Sequence, residues 1–186
     1  NAVIKENCKI GVNSIVYENT TIGPNVVIGA NTLIMGNCVI SDSIIGKNCI
    51  IQSGSIIGGK GFGFTPDRKI EIKHVGNVII GDYVDIGSNT TIDKGSINST
   101  IIGDYCRIDN LIQIAHNVKI GNNTIIASQT GISGSTNIGN NCLIGGQVGI
   151  IGHINIGNYV KIAGRSGVTK NINDNATIAG FPAQDI

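Results

Sequence analysis

Ile102-Gly103-Asp104-Tyr105-Cys106-Arg107-Ile108-Asp109-Asn110-Leu111-Ile112-Gln113-Ile114-Ala115-His116-Asn117-Val118-Lys119-Ile120 carries isoleucine at every sixth position. An α-helix needs apolar residues every three to four positions, so this spacing excludes one. Working outward, the same period runs on through Ile126, Ile132, Ile138, Ile144, Ile150, Ile156, Ile162 and Val168. Upstream it runs from Ile4 through Ile10, Val16, Ile22, Ile28, Ile34 and Ile40, and after a one-residue slip through Ile45, Ile51 and Ile57. It returns at Ile80, Ile86 and Ile92, and a shortened step leads to Ile102.

A six-residue unit is a short strand plus a corner, and Asn, Gly and Asp tolerate the left-handed backbone that corners need. Three units close one triangular coil of eighteen residues. Coils then stack at strand spacing, roughly 4.8 Å apart, with Ile resting on Ile. The fold class is all-β, a parallel β-helix solenoid in one domain over 1–186.

The fifth position of each hexad is small or β-branched, as at Thr20, Val26, Thr90, Val118 and Thr136. Cys8, Cys38, Cys49, Cys106 and Cys142 all occupy it, which marks them as inward filler rather than nucleophiles or metal ligands. The odd cysteine count and the lack of a CxxC pair fit a reducing, cytoplasmic setting. Lys plus Arg is 13 against 12 Asp plus Glu, so bulk charge selects neither nucleic acid nor an anionic membrane. No apolar run is long enough for a membrane span. The chain begins at Asn1 without Met, as an excised piece of a longer protein would.

Two breaks in the repeat draw attention. Around 58–78 the period fails in Gly58-Gly59-Lys60-Gly61-Phe62-Gly63-Phe64-Thr65-Pro66-Asp67, which predicts a loop leaving the solenoid, either functional or a cover for a coil edge. His74 falls near its end, outside the regular coils, and receives no role. The second feature is His116, at the third position of its hexad. Counting by eighteen along that corner gives Gly134, Gly152 and Lys170, with His153 beside Gly152. The adjacent corner runs Asn110, Ser128, Gly146 and Gly164, also small, and the third runs Asn122, Asn140 and Asn158, a plain polar column. A groove that starts at an imidazole fits general-base work near neutral pH. Glycine-rich corners beside a surface histidine fit the same counts.

Ile51-Gln52-Ser53-Gly54, Gly61-Phe62-Gly63-Phe64, Thr91-Ile92-Asp93-Lys94-Gly95, the stretch from Asp109 to Val118 and the closing Gly180-Phe181-Pro182-Ala183 together resemble the UDP-3-O-(3-hydroxyacyl)glucosamine N-acyltransferases of Gram-negative lipid A biosynthesis. The hexapeptide pattern likewise resembles the left-handed β-helix of bacterial acyltransferases, and the left hand is expected on that ground alone, against the usual right-handed crossover. The resemblance implies attack by the 2-amine of UDP-3-O-acylglucosamine on a (3R)-hydroxyacyl thioester. Acyl carrier protein would supply the acyl-phosphopantetheine, with no other cofactor and no metal. His116 matches the general base, Asp109 the carboxylate that orients it, and Gly134 the N–H that stabilises the oxyanion. His153, Asn110, Gln113 and Gly152 match substrate-binding positions. Gly167 falls near the groove end that limits acyl length, and its missing side chain predicts that a long chain is accepted. The family's N-terminal uridine-binding domain and C-terminal helical extension are expected to be absent here.

Spacing adds one expectation of its own. Asp109 and His116 lie on successive corners, seven residues apart, which at about 3.3 Å per residue is most of one side of the coil. They should not meet within one chain, so a homotrimer is expected to bring Asp109 of one subunit to His116 of the next. Lys161, Arg165 and Lys170 fit contact with an acidic carrier protein, and fit solvated coil-end residues equally. Three readings compete: another hexapeptide acyl- or acetyltransferase acting on a sugar nucleotide, a trimeric zinc carbonic-anhydrase-like protein, and a non-catalytic solenoid. The zinc reading needs three converging imidazoles, and Gly121 stands where such a family places a second His.

Overall fold

Inward-facing isoleucine on every second strand residue, with a corner after every pair, leaves the chain one way to bury its apolar side, which is to coil upon itself. The structure, a computed structural model, describes residues 1–182 and the backbone of Gln184–Asp185; Ala183 and Ile186 lie outside the described residues, and Ala183 is the last residue of the closing sequence match. It is a left-handed parallel β-helix. The described strands form three sheets of nine, eight and ten strands, most of them two residues long. All pairings between these strands are parallel except the last, where Thr177–Ala179 meets Gln184–Asp185 antiparallel.

Register is set by the isoleucines. On the first face Ile92 pairs with Ile114, Ile114 with Ile132, Ile132 with Ile150, and Ile150 with Val168. These side chains are buried in one continuous core. The fourth residue of each hexad takes a positive φ, mostly Asn, which a left-handed corner favours.

The fifth-position side chains do two jobs. They fill the coil, and their hydroxyls and thiols donate to corner carbonyls of the next coil, as Thr124 does to Gly139 at 3.0 Å and Cys106 to Gly121 at 3.1 Å. Burial pushes the Cys106 thiol up to about 11 and raises Cys38, Cys49 and Cys142 as well. Since the thiolate is the reactive species, a thiol reagent at pH 8 is expected to reach at most the half-buried Cys8 in the folded protein, and all five in denaturant.

The irregular steps share one location. Ile40 to Ile45, Ile57 to Ile80, Ile92 to Ile102 and Val168 to Ile172 all span the corner from the first face to the second. The step from Ile92 to Ile102 is therefore a lengthened single corner, not a shortened pair of hexads. The other two corners keep the six-residue step throughout. His116, between Ile114 and Ile120, stands on this same corner, one coil beyond the lengthened one.

Candidate active site

The segment after Ile57 leaves the solenoid and folds back over it. Phe64 and Glu71 bridge antiparallel, and Ile72 N–H donates to Gly63 O at 3.0 Å, so the excursion is an ordered hairpin. It returns against the lengthened corner, with Val75 N–H donating to Ser96 O and Gly76 N–H to Gly95 O. The inserted hairpin and the lengthened corner thus pack on each other, and His116 lies beneath them.

His116 is fixed from two sides. Its Nδ1 is 3.1 Å from Asn117 Oδ1, the same oxygen that accepts from Ser96 N–H and Ser96 Oγ. A backbone N–H only donates, so this atom of Asn117 is the oxygen, and His116 Nδ1 must carry the proton. In the neutral ring Nε2 then carries the lone pair. It faces Gly134, where an added Cβ would stand 2.7 Å from Nε2 and 2.8 Å from Cε1. The column of His116 and Gly134 obtained by counting eighteens is therefore a physical contact.

On the other side His74 packs edge-on to His116, with ring centroids 5.0 Å apart. His74 has no role legible in the repeat, because the loop interrupts the count that would have placed it. Its Nδ1 donates to Ile72 O at 3.0 Å, and the residue is buried. Burial lowers its pKa, the charge of His116 adds to this, and Lys94 and Lys60 add less. The depressed value means the open loop takes up a proton before the closed one. Closure is then fully present above the ordinary imidazole value of about 6.5 and is lost as pH falls through that value towards the lower folded one. Protection of the Ile72, Val75 and Gly76 amides, taken relative to their intrinsic exchange rates, is expected to fall between pH 7.5 and 5, and His74→Phe should abolish the change.

A groove of about 900 Å³ runs from Phe62 and His116 along the first face to Phe181. Its floor is the outward residues of that face, Gln113, Gly131, Gly149 and Gly167. A Cβ at Gly131 or Gly149 would meet nothing within 4 Å, so these glycines leave an open track. One wall is the His116 corner with Gly134, Gly152 and His153. The other is a ladder in which Arg165 Nε donates to Gln147 Oε1 at 2.8 Å and Gln147 to Gln129 at 2.6 Å. At the far end the Phe181 ring lies where a Gly167 side chain would go. The expected opening at Gly167 is thus filled, by a residue that the eighteen-residue count does not connect to it.

Of the residues singled out from sequence, His116, Gly134, Gln113, Gly152, His153, Gly167 and Arg165 line this groove. Asp109 does not. Its oxygens accept from Asn110 N–H at 2.8 Å, Asn110 Nδ2 at 2.9 Å and Ser128 N–H at 3.1 Å. Asn110 in turn accepts from Ser88 N–H. Lys161 faces outward on a different sheet, beside Leu143, and Lys170 is exposed past the groove end. Asp93 also lines the groove, and the repeat count carries no signal for it. Among the described residues no three His, Cys, Asp or Glu side chains are grouped as a metal site, and no helix is long and apolar enough to cross a membrane.

The chain is similar to curated proteins named UDP-3-O-acylglucosamine N-acyltransferase. It is 54% identical to that of Dechloromonas aromatica over 86 residues and 61% identical to that of Cytophaga hutchinsonii over 84 residues. These matches cover 45% and 44% of the chain, and the chain spans only about a quarter of each relative's length. Over its whole length it resembles two solved structures of UDP-N-acetylglucosamine acyltransferases. The first, the O-acyltransferase from Moraxella catarrhalis, has a TM-score of 0.93 at 26% identity, and the second, from Bacteroides fragilis, 0.89 at 28%, each covered over 72% of its chain. Residues 77–110 match the hexapeptide repeat of succinyl-transferase. With residues 1–36, 25–59 and 99–134 matching its six-repeat pattern, the chain belongs to the bacterial transferase hexapeptide family.

Proposed function

We propose that the chain is the acyl-transfer domain of a UDP-3-O-acylglucosamine N-acyltransferase. It moves a (3R)-hydroxyacyl group from acyl carrier protein to the sugar's 2-amine. The observation that carries this reading is the His116 imidazole, whose Nδ1 proton is held by Asn117 so that a bare Nε2 faces Gly134 at the head of a long glycine-floored groove.

The reaction follows from that placement. The amine nitrogen attacks the thioester carbon while His116 Nε2 takes its proton. The tetrahedral oxyanion receives the Gly134 N–H, which donates to no other group among the described residues. Collapse breaks the C–S bond, and the thiolate recovers the proton from His116. The acyl chain lies along Gly131 and Gly149, and Phe181 sets where it stops. His153, Gln113 and Gly152 line the acceptor side, and Arg165 and Lys170 meet the acidic carrier. A homotrimer brings Asp109 and Asn110 of one subunit towards His116 of the next, consistent with their position outside the groove of a single chain.

A second reading is O-acyl transfer to a sugar nucleotide, favoured by the name of the Moraxella structure that matches the whole chain. Incubating the full-length protein with (3R)-hydroxyacyl carrier protein and UDP-3-O-acylglucosamine should yield the 2-N-acyl product. Transfer only to a hydroxyl, or only from acetyl-CoA, would sink the proposal. Sedimentation as a monomer would remove the role of Asp109.

A further inference from the structure

The groove changes character at His116. On the Gly134 side its floor is Gly131, Gly149 and Gly167, with no side chain to offer a hydrogen bond. On the other side stand Gln113, Asp93 and Phe62, two polar groups and an aromatic ring. An alkyl chain suits the first half, because a polar group buried on bare glycine goes unpaired. A ring that carries hydroxyl donors suits the second.

Asp93 is the centre of that second half. It pairs with Gly59 on one side and, following Ile92 beside Ile114, lies next to Ala115 on the other. Its Oδ2 accepts from Gln113 Nε2 at 3.1 Å. A carboxylate only accepts, so the amide end at Asp93 is the NH2, and Gln113 Oε1 meets the Thr91 hydroxyl. Burial pushes the Asp93 carboxyl above its ordinary range, and Gln113 and the charge of His116 only partly offset this. The carboxylate is therefore short of donors. Phe62 hangs over the same end from the hairpin, 84% exposed.

Distance decides what can supply a donor. Asp93 Oδ1 lies on the Gly59 side of its coil, where an added Cβ would come within 3.5 Å of it, and His116 Nε2 lies on the Gly134 side of the next coil. The two atoms stand two coils apart, about 10 Å, too far to share one ligand atom. A hexosamine bridges them. Its 2-amine and the hydroxyls on the opposite edge of the ring, at C4 and C6, are separated by four to six bonds, about 5–7 Å. A hydrogen bond of about 2.8 Å at each end completes the span.

We propose that Asp93, held by Gln113, positions the acceptor sugar: its carboxylate takes a hydroxyl on the C4–C6 edge of the glucosamine and so delivers the 2-amine to His116. This rests on the N-acyl-transfer reading. Asp93 exchanges no proton and makes no bond to the reacting atoms. The sugar occupies the Phe62 end of the groove, and the incoming acyl chain the glycine end.

The test uses full-length wild type, Asp93→Ala and Asp93→Asn, each checked by thermal melting, with UDP-3-O-acylglucosamine and its 4-deoxy and 6-deoxy counterparts. In the wild type at least one deoxy acceptor is expected to bind and react about 10- to 100-fold more weakly, as for loss of a hydrogen bond to a charged group. In Asp93→Ala that penalty disappears and all three acceptors are equally poor, while Asp93→Asn, which keeps an accepting oxygen, falls between. A wild type that treats the three alike, or a deoxy penalty that persists in Asp93→Ala, overturns the role of Asp93. Affinity is read by calorimetry without the acyl donor. A wild type that shows the expected discrimination in binding yet forms no N-acyl product refutes the N-acyl-transfer reading and leaves the sugar subsite standing.

Discussion

Alanine at His116 is expected to lower kcat for N-acyl transfer by about 10²–10⁴-fold, the usual contribution of a positioned general base. The loss should fall on kcat more than on KM, because the groove floor of Gly131, Gly149 and Gly167 does not involve the ring. The fold should survive, since the side chain is only half-buried and the core isoleucine at 114 is untouched. Added imidazole should restore part of the rate by occupying the space between Gly134 and His74. A His116→Ala protein that turns over normally would place the chemistry elsewhere.

Gly134→Ala is expected to cost about 10²-fold in kcat, through geometry alone. The new Cβ would stand 2.7 Å from His116 Nε2, closer than side-chain carbons approach one another. The ring can yield only towards the open groove, away from its present position. Behind it Gly61 already packs so tightly that a Cβ there would come within 2.8 Å of His116 Cβ, and His74 closes a second side. Displacement of a reacting group by about 1 Å is worth about 10²-fold. The backbone N–H persists in this variant, so the effect isolates the position of the base from the oxyanion donor. In the double variant with His116→Ala the second change should cost almost nothing, because the ring it displaces is gone. Full additivity would show that Gly134→Ala acts by another route.

The hexad made much of this molecule legible in advance. Ile every six residues gave the coil, the core and the inward cysteines. Counting by eighteen put His116, Gly134 and Gly152 in one column, and the structure turns that column into the groove wall. The count worked because each step is local: a strand pair, a corner, a neighbour one coil away. It also separated Asp109 from His116 within the chain, and the Asp109 oxygens do go to Asn110 and Ser128.

Contacts made by segments off the period had no counterpart in the count. His74 reaches His116 from a hairpin inserted after Ile57, Ser96 fixes the Asn117 amide from a lengthened corner, and Phe181 covers Gly167 from beyond the last regular coil. Sequence by itself determined the solenoid and the column on which the imidazole stands, because those depend on a repeating nearest-neighbour geometry. Tertiary structure alone decided which nitrogen of that imidazole is free, what encloses it and where the groove ends. An inserted segment carries no register, and its path is settled only when it packs against the coils.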